Sequence, residues 1–148
     1  MTNGRPVPVS LGRPRQGQPC DFAAKPPLIF VHVARDDHSP HNGVTYRAML
    51  DSGAESTCVD RELIAECGLE FAGNAMVHGM DNAAKPTTLA KAQIILPAQN
   101  VIFVEHVAAV DFRSAGQAFD LVLGRSFLRH CVFEVDGPNE RYTLHWVA

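Results

Sequence analysis

The segment 48–54, with the sequence Ala-Met-Leu-Asp-Ser-Gly-Ala, places one carboxylate directly after an apolar run. The apolar residues predict a buried strand, and an ionised carboxylate at the end of such a strand is costly to desolvate. Gly53 permits a tight turn and the close approach of another backbone. Asp51 could therefore be an acid or base held in a backbone turn. Asp, Ser and Gly are also common in ordinary hairpin turns, so these residues alone leave both interpretations open.

A second segment has the same design. Residues 121–125, with the sequence Leu-Val-Leu-Gly-Arg, again form an apolar run that ends at a glycine, and Gly124 follows Asp51 by 73 residues (124 minus 51). A short helix is predicted after each segment, the first over 61–67 with an aspartate cap and a glycine stop, and the second over 125–130. Between them, residues 78–82 (His-Gly-Met-Asp-Asn) predict the tip of a hairpin.

The elements around these segments are short strands separated by turn residues. Asn42-Gly43 is a strong hairpin signal. Strands are predicted over 28–33, 44–50, 57–59, 69–77, 87–96, 101–110, 119–123, 131–135 and 141–147. The strand 101–110 is apolar almost throughout and is predicted to be buried. This pattern indicates a mainly β chain that forms a closed or nearly closed barrel, whereas alternation of strands and long helices and a P-loop are absent.

Composition favours one globular domain. The chain has 148 residues, of which 46% are hydrophobic and 20% charged, enough for a real core. Residues 1–25 contain several prolines, glycines and arginines with little apolar periodicity, and we predict a flexible leader there. The domain itself is predicted over 26–148.

Several function classes are disfavoured by composition and charge. The net charge is −3 with no basic cluster, so a nucleic-acid partner is not expected. No apolar run approaches the roughly 20 residues of a membrane helix, and no secretory signal is visible, so a cytoplasmic location without membrane contact is expected. No spacing typical of zinc ligands occurs, so we expect no metal and no cofactor. Free thiols are expected for the four cysteines, Cys20, Cys58, Cys67 and Cys131.

Taken together, the motifs resemble those of the retropepsin-like aspartic protease family. Residues 51–54 are similar to its D-[ST]-G-A active-site loop, and residues 120–128 (Asp-Leu-Val-Leu-Gly-Arg-Ser-Phe-Leu) to its apolar-Gly-Arg stretch before the C-terminal helix. Gly79 falls where such proteases carry a mobile flap. The resemblance covers roughly residues 28–147. Ser52 stands where many members have Thr, and the hairpin tip has one glycine rather than several.

The resemblance implies a retropepsin-like acid-protease β-barrel with one or two short helices, and it assigns roles to residues. Asp51 would be the catalytic residue. The active-site loop would continue through Ser52, Gly53 and Ala54, with the Ser52 hydroxyl bonded across a dimer axis. The flap would contain His78, Gly79, Met80 and Asp81. An ion pair between Glu55 and Arg125 would brace the loop.

The implied chemistry needs two carboxylates that share one proton. The chain has a single D-[ST]-G sequence, so the second Asp51 would come from another copy in a two-fold homodimer. The expected activity is that of an aspartic endopeptidase on peptide or protein substrates. The strand 141–147, and with it the strand from Leu28, could add an intersubunit sheet, or Trp146 could simply cap the barrel.

The sequence leaves two other interpretations open. The first is a catalytically silent peptide-binding or dimerisation domain on the same fold, although such a domain has no chemical need for Asp51. The second is an unrelated small β-barrel binding protein, which leaves the segment 121–125 unexplained.

Overall fold

A computed structural model of the chain describes residues 4–14, 17–18, 21–35, 40–78 and 83–147. Within these residues the protein is mainly β, with two short α-helices and two 3₁₀ turns. The strands β1 to β11 are, in chain order, Arg5–Val7, Ser10–Leu11, Pro27–Ala34, Tyr46–Leu50, Cys58–Asp60, Glu70–His78, Ala84–Leu96, Val101–Val110, Leu121–Leu123, Cys131–Asp136 and Arg141–Trp146. The helices are α1 (Arg61–Cys67) and α2 (Arg125–Leu128), and the 3₁₀ turns are Phe22–Ala24 and Pro97–Gln99.

The larger sheet contains eight strands in the order β2-β3-β4-β9-β5-β8-β7-β6. β3 also pairs with β7, with His32 opposite Ile95, which links the two ends of the series from β3 to β7. The predicted mainly β class with short helices is therefore confirmed. A closed barrel requires a pairing of this kind between the first and last strands of the series. Closure of the barrel itself stays a prediction.

Alternation of side chains explains why β4 can lie in the middle of this sheet. Tyr46, Ala48 and Leu50 point into the core and are at most 4% exposed, while Arg47 and Met49 between them are half-buried. β8 departs from its predicted burial, because Ile102 and Val104 are 63% and 49% exposed. An unbroken apolar run does not reveal which face of a strand meets solvent, and here one face does.

One main core connects the larger sheet, both helices and the smaller sheet. Its largest fully buried side chains are Tyr46, Phe127, Ile29, Leu63, Ile94, Leu96, Leu121, Leu123 and Leu144. Leu28, Phe119 and Val122 form a second, smaller cluster, against which Met49 and Ala54 pack. This second cluster lies beside the segments singled out in the sequence.

Helix α1 has the predicted bounds because its end signals are local. The Asp60 carboxylate accepts from the Glu62 N–H, and Gly68 ends the helix in the left-handed conformation with φ 61° and ψ 38°. Only Leu63 is buried, so one turn anchors the helix to the core. Among the described helices, none is long and apolar enough to span a membrane.

The prediction that residues 1–25 form a flexible leader is wrong for the residues that the structure describes. β1 pairs antiparallel with β11, and β2 pairs with β3. Val7 is only 6% exposed and belongs to the main core. The guanidinium of Arg5 donates to the carbonyl oxygens of Gln99 (2.8 Å) and Asn100 (3.2 Å). Proline and arginine content suggested a solvated arm, whereas strand pairing with distant residues orders it.

The smaller sheet has the order β1-β11-β10, so β11 pairs on both sides within the chain. An intersubunit sheet through β11 would therefore require β1 or β10 to leave. Trp146 is 9% exposed and packs against the rings of Phe127 and Phe103, with centroid distances of 5.4 and 6.5 Å. Trp146 is a core residue of the chain itself.

Candidate active site

Asp51 lies at the end of β4, beside the end of the parallel strand β9. Leu50 is opposite Leu123 in this pair. The Asp51 N–H donates to the Leu123 carbonyl oxygen over 3.0 Å. Parallel strands carry their carboxyl ends to the same edge of a sheet, so the acid and the turn at Gly124 meet there. The two segments of similar design are neighbours in space.

The turn after β4 fixes the Asp51 carboxylate. Oδ1 accepts from the Gly53 N–H at 2.9 Å, and the Ala54 N–H donates to the Asp51 carbonyl oxygen at 3.2 Å. A Cβ atom on Gly53 would lie 3.1 Å from Oδ1, so a side chain at 53 would crowd the acid. Asp51 is half-buried, while Ser52 and Gly53 are exposed. The carboxylate is thus oriented by the backbone and remains accessible.

Gly124 allows the second segment to pack directly against this loop. A Cβ atom at Gly124 would lie 2.6 Å from the Ala54 carbonyl oxygen and 2.7 Å from that of Ser56. The next residue, Arg125, donates its N–H to the same Ala54 oxygen at 2.8 Å. Only glycine permits this approach. The loop that carries Asp51 and the start of α2 therefore pack together as one unit.

The predicted ion pair between Glu55 and Arg125 is absent from the described residues. Arg125 Nη1 instead donates to the Ser52 carbonyl oxygen over 2.9 Å. Glu55 takes part through its backbone, whose carbonyl oxygen accepts from the Ser126 N–H at 2.9 Å. Glu55 and Arg125 are both exposed, so their charges stay hydrated and gain little by pairing. Arg125 therefore still stabilises the loop, but it does so through the Ser52 carbonyl oxygen and not through the Glu55 side chain.

Two buried aspartates support this unit in a way that sequence analysis did not predict. Asp120 is 6% exposed; its Oδ2 accepts from the Arg47 N–H at 2.9 Å and its Oδ1 from Arg113 Nε at 3.1 Å. Asp60 Oδ1 accepts from the N–H groups of Phe112 (2.9 Å) and Arg113 (2.8 Å). The sequence indicated Asp60 only as the cap of α1, and Asp120 only by its place at the edge of the segment 120–128.

A cleft of about 390 Å³ separates the loop from the β6–β7 hairpin. Gly53, Ala54 and Glu55 line one side, and residues 75–78 line the other. The predicted hairpin is confirmed by antiparallel pairing that ends with His78 opposite Ala84. Gly79, Met80 and Asp81 lie outside the described residues. The structure thus brings His78 to the same cleft as the active-site loop.

Asp51 itself lines a second cavity, of about 440 Å³, and no described residue of the hairpin strands β6 and β7 belongs to that lining. Its lining includes Arg13 and Lys25 from the segment before β3, and Phe119 from the loop before β9. Arg13 and Lys25 were not predicted as site residues, because the composition of segment 1–25 indicates a flexible leader. Two cavities therefore adjoin the loop that carries Asp51.

Cys58 lines the cleft with the hairpin, so its thiol is a second candidate nucleophile near Asp51. Burial raises the pKa of the Cys58 thiol, and the negative charges of Glu105 and Asp51 raise it further. A thiol with a raised pKa stays protonated near neutral pH and is a weak nucleophile. Among the described residues, no group of three or more His, Cys, Asp or Glu side chains is placed to hold a metal ion. Of these two groups, the carboxylate of Asp51 is therefore the candidate for acid–base chemistry.

Comparisons with known proteins agree with this geometry. A family model described as "gag-polyprotein putative aspartyl protease" matches residues 40–130, more than half of the chain. The chain is also similar to the crystal structure of a retropepsin-like aspartic protease from Rickettsia conorii, with a TM-score of 0.53 and 16% identity over 99% of this chain and 97% of that one. A comparison with curated protein sequences finds no match. The chain belongs to the gag-polyprotein aspartyl protease family and has a retropepsin-like fold.

Proposed function

We propose that this protein is an aspartic endopeptidase that acts as a homodimer, with Asp51 of each subunit forming one catalytic pair. The observation that carries the proposal is the position of Asp51: a half-buried carboxylate, oriented by Gly53, in a loop that packs on Gly124 and Arg125. This arrangement holds an acid in one orientation at the edge of one cavity, while the loop that follows it lines a second. Family membership supports the same chemistry.

The chemistry explains why a second copy is needed. One carboxylate must be ionised to take a proton from water, and the other must be protonated to donate to the peptide carbonyl oxygen. Two carboxylates about 3 Å apart cannot both ionise easily, so they hold one proton between them. The chain contains one Asp-Ser-Gly sequence, and Gly124 occupies the corresponding place in the second segment without an acid. A two-fold dimer supplies the missing Asp51 through one self-complementary interface.

The surrounding residues receive roles in this proposal. Ser52 is exposed at the tip of the loop, where its hydroxyl can bond to the partner's loop across the two-fold axis. Substrate backbone would lie in the cleft between Gly53 and the hairpin that ends at His78. The hairpin would close over the peptide and exclude water from the carboxylates.

The test is a peptide-library assay with the wild type and the Asp51→Asn variant side by side. Asn keeps the size of the side chain but cannot accept a proton from water, so cleavage should be lost while the fold and the dimer persist. Activity should be highest at mildly acidic pH and fall when both carboxylates ionise. Unchanged cleavage by Asp51→Asn would refute the proposal. Binding of peptides without cleavage by the wild type would favour the silent binding domain.

A further inference from the structure

The cavity of about 440 Å³ beside Asp51 has a distinctive distribution of charge. Two cationic side chains, Arg13 and Lys25, belong to its lining, together with the neutral Gln18 and Gln117. Among the described residues that line the cavity, Asp51 itself is the only acid. The volume of the cavity lies within the range of about 300–1,000 Å³ that is common for ligand sites. The cavity therefore offers positive charge next to the carboxylate that would perform the reaction.

The backbone that carries these cations is well anchored. Gly12 is buried, and its N–H donates to the Pro26 carbonyl oxygen at 2.8 Å, which fixes the chain directly before Arg13. The Lys25 N–H donates to the Phe22 carbonyl oxygen at 3.1 Å, and the Lys25 carbonyl oxygen accepts from the Tyr142 hydroxyl at 3.3 Å. The Phe22 and Tyr142 rings stack with centroids 4.8 Å apart. Hydrogen bonds thus fix the main chain at Lys25 and directly before Arg13, beside the cavity.

Neither cation is neutralised by an acid in the described part of the chain. No ion pair there includes Arg13 or Lys25. The nearest acid along the chain, Asp21, accepts from the Ala24 N–H and caps the 3₁₀ turn. Lys25 is half-buried, whereas Arg13 is exposed. The two positive charges are available to a ligand.

We propose that this cavity is a substrate subsite that binds an acidic side chain close to the scissile bond, and that Arg13 and Lys25 determine this preference. The inference rests on the proposed function, because it assumes that Asp51 acts on a peptide. Lysine and arginine side chains only donate hydrogen bonds, and a carboxylate is their best acceptor. A basic substrate side chain would be repelled. The shared proton leaves the Asp51 pair with one negative charge, which the same cations offset.

The expected size of the preference follows from exposure. Solvent-exposed ion pairs contribute about 0.2–1 kcal/mol each, so two of them correspond to about a two- to thirtyfold preference for Glu over Gln at one position. The preference should weaken as salt is raised, because the charges are accessible to ions.

The test uses a peptide library in which each position is Glu, Gln or Lys, with the wild type, Arg13→Gln, Lys25→Gln, the double variant and the charge reversal Lys25→Glu. Arg129→Gln is the matched control, because Arg129 is exposed and does not line the cavity. The readout is the ratio of kcat/KM for Glu over Gln peptides, which a general loss of activity does not change. We expect the Glu-over-Gln ratio to fall towards one in the double variant and to persist in Arg129→Gln. In Lys25→Glu, we expect kcat/KM to be higher for Lys peptides than for Glu peptides.

Binding of the same peptides to the Asp51→Asn protein separates this inference from the proposed function. A Glu preference in binding that depends on Arg13 and Lys25 supports the subsite, even if the wild type cleaves nothing and the protease proposal fails. Cleavage by the wild type with equal ratios in the wild type and the double variant would overturn the subsite and leave the protease proposal intact. A ratio reduced equally by Arg129→Gln would also overturn it, because net charge alone would then explain the preference.

Discussion

At the scale of single residues, the position of the loop after Asp51 depends mainly on backbone hydrogen bonds, and side chains add few contacts. The loop from Asp51 to Ser56 is held by carbonyl oxygens and N–H groups, and the close approach at Gly124 makes these contacts possible. Arg125 adds one charged donor, on the Ser52 carbonyl oxygen. Substitutions here should therefore act first on the position of the loop and, through it, on Asp51.

Gly124→Ala should destabilise the fold by about 1–3 kcal/mol, because the new Cβ would overlap two backbone carbonyl oxygens that cannot move independently. Urea unfolding measures the loss. Gly137→Ala is the matched control, since nothing lies within 4 Å of a Cβ atom at that position. Equal stabilities of the two variants would contradict the packing of the loop on Gly124.

A double-mutant cycle on Glu55 and Arg125 should give a coupling free energy near zero. The structure pairs Arg125 with the Ser52 carbonyl oxygen, so Arg125→Met should cost about 1 kcal/mol, while Glu55→Gln should change the free energy of unfolding by less than about 0.5 kcal/mol. The four proteins are compared by urea unfolding. A coupling above about 1 kcal/mol would restore the ion pair that the sequence predicted.

The residue-scale predictions from sequence succeeded where a motif fixes the backbone. Asp51 and Gly124 were singled out by type and position, and the structure brings them to one edge of the sheet. The partner of Arg125 was not predictable in the same way. A long arginine side chain reaches several acceptors within one turn, and only the path of the loop decides which of them it meets.

At the scale of elements, Arg113 connects helix α1 to the loop that precedes β9. Its guanidinium contacts Glu66 at 2.6 Å, Asp120 at 3.1 Å and Glu62 at 3.2 Å. The hydrogen bond from Arg113 is the main reason why the pKa of Glu66 lies below its ordinary value. Because Asp120 also bonds to the Arg47 N–H in β4, the arginine links α1 to the strand that carries Asp51.

Arg113→Met should lower the free energy of unfolding by about 1–3 kcal/mol at pH 7. A carboxylate whose folded pKa is depressed contributes stability above its unfolded pKa and loses it as the pH falls through the folded pKa. The difference between wild type and variant should therefore shrink as the pH drops below about 4.5, the ordinary range for Glu. Urea unfolding across pH 3–7 measures this.

Arg61→Met is the control for the Arg113 variant. Arg61 pairs with Asp111, and both side chains are more than half exposed, at 52% and 60%. Its loss should cost less than about 1 kcal/mol. A pH-independent effect of Arg113→Met, or an equal effect of Arg61→Met, would contradict the proposed link.

Elements with local signals were predicted more accurately than elements with distant partners. Helix α1 begins and ends where the Asp60 cap and Gly68 indicated, because both signals lie next to the helix. β1 was missed because its partner, β11, is at the other end of the chain, and no local pattern encodes that pairing. For β8, the apolar run predicted a strand correctly but gave no information about its exposed face.

At the scale of the whole molecule, one chain provides one Asp-Ser-Gly loop and its supporting segment. Under the proposed two-carboxylate chemistry, catalytic activity would belong to the pair of subunits rather than to one subunit. Because β11 is paired on both sides within the chain, a second copy could not pair with β11 unless β1 or β10 were displaced. The fold class and the acid could be predicted from sequence, whereas the paired state of β11 emerged only from the structure.

The central claim is that one active site uses Asp51 from two subunits. It is tested by co-refolding wild type with Asp51→Asn in varied proportions and measuring peptide cleavage at constant total protein, with size-exclusion chromatography to verify that dimers form. If both carboxylates are needed, activity follows the square of the wild-type fraction, so an equal mixture retains about one quarter of full activity. Activity proportional to the wild-type fraction, with about one half retained in the equal mixture, would contradict the claim and place a complete site in each subunit.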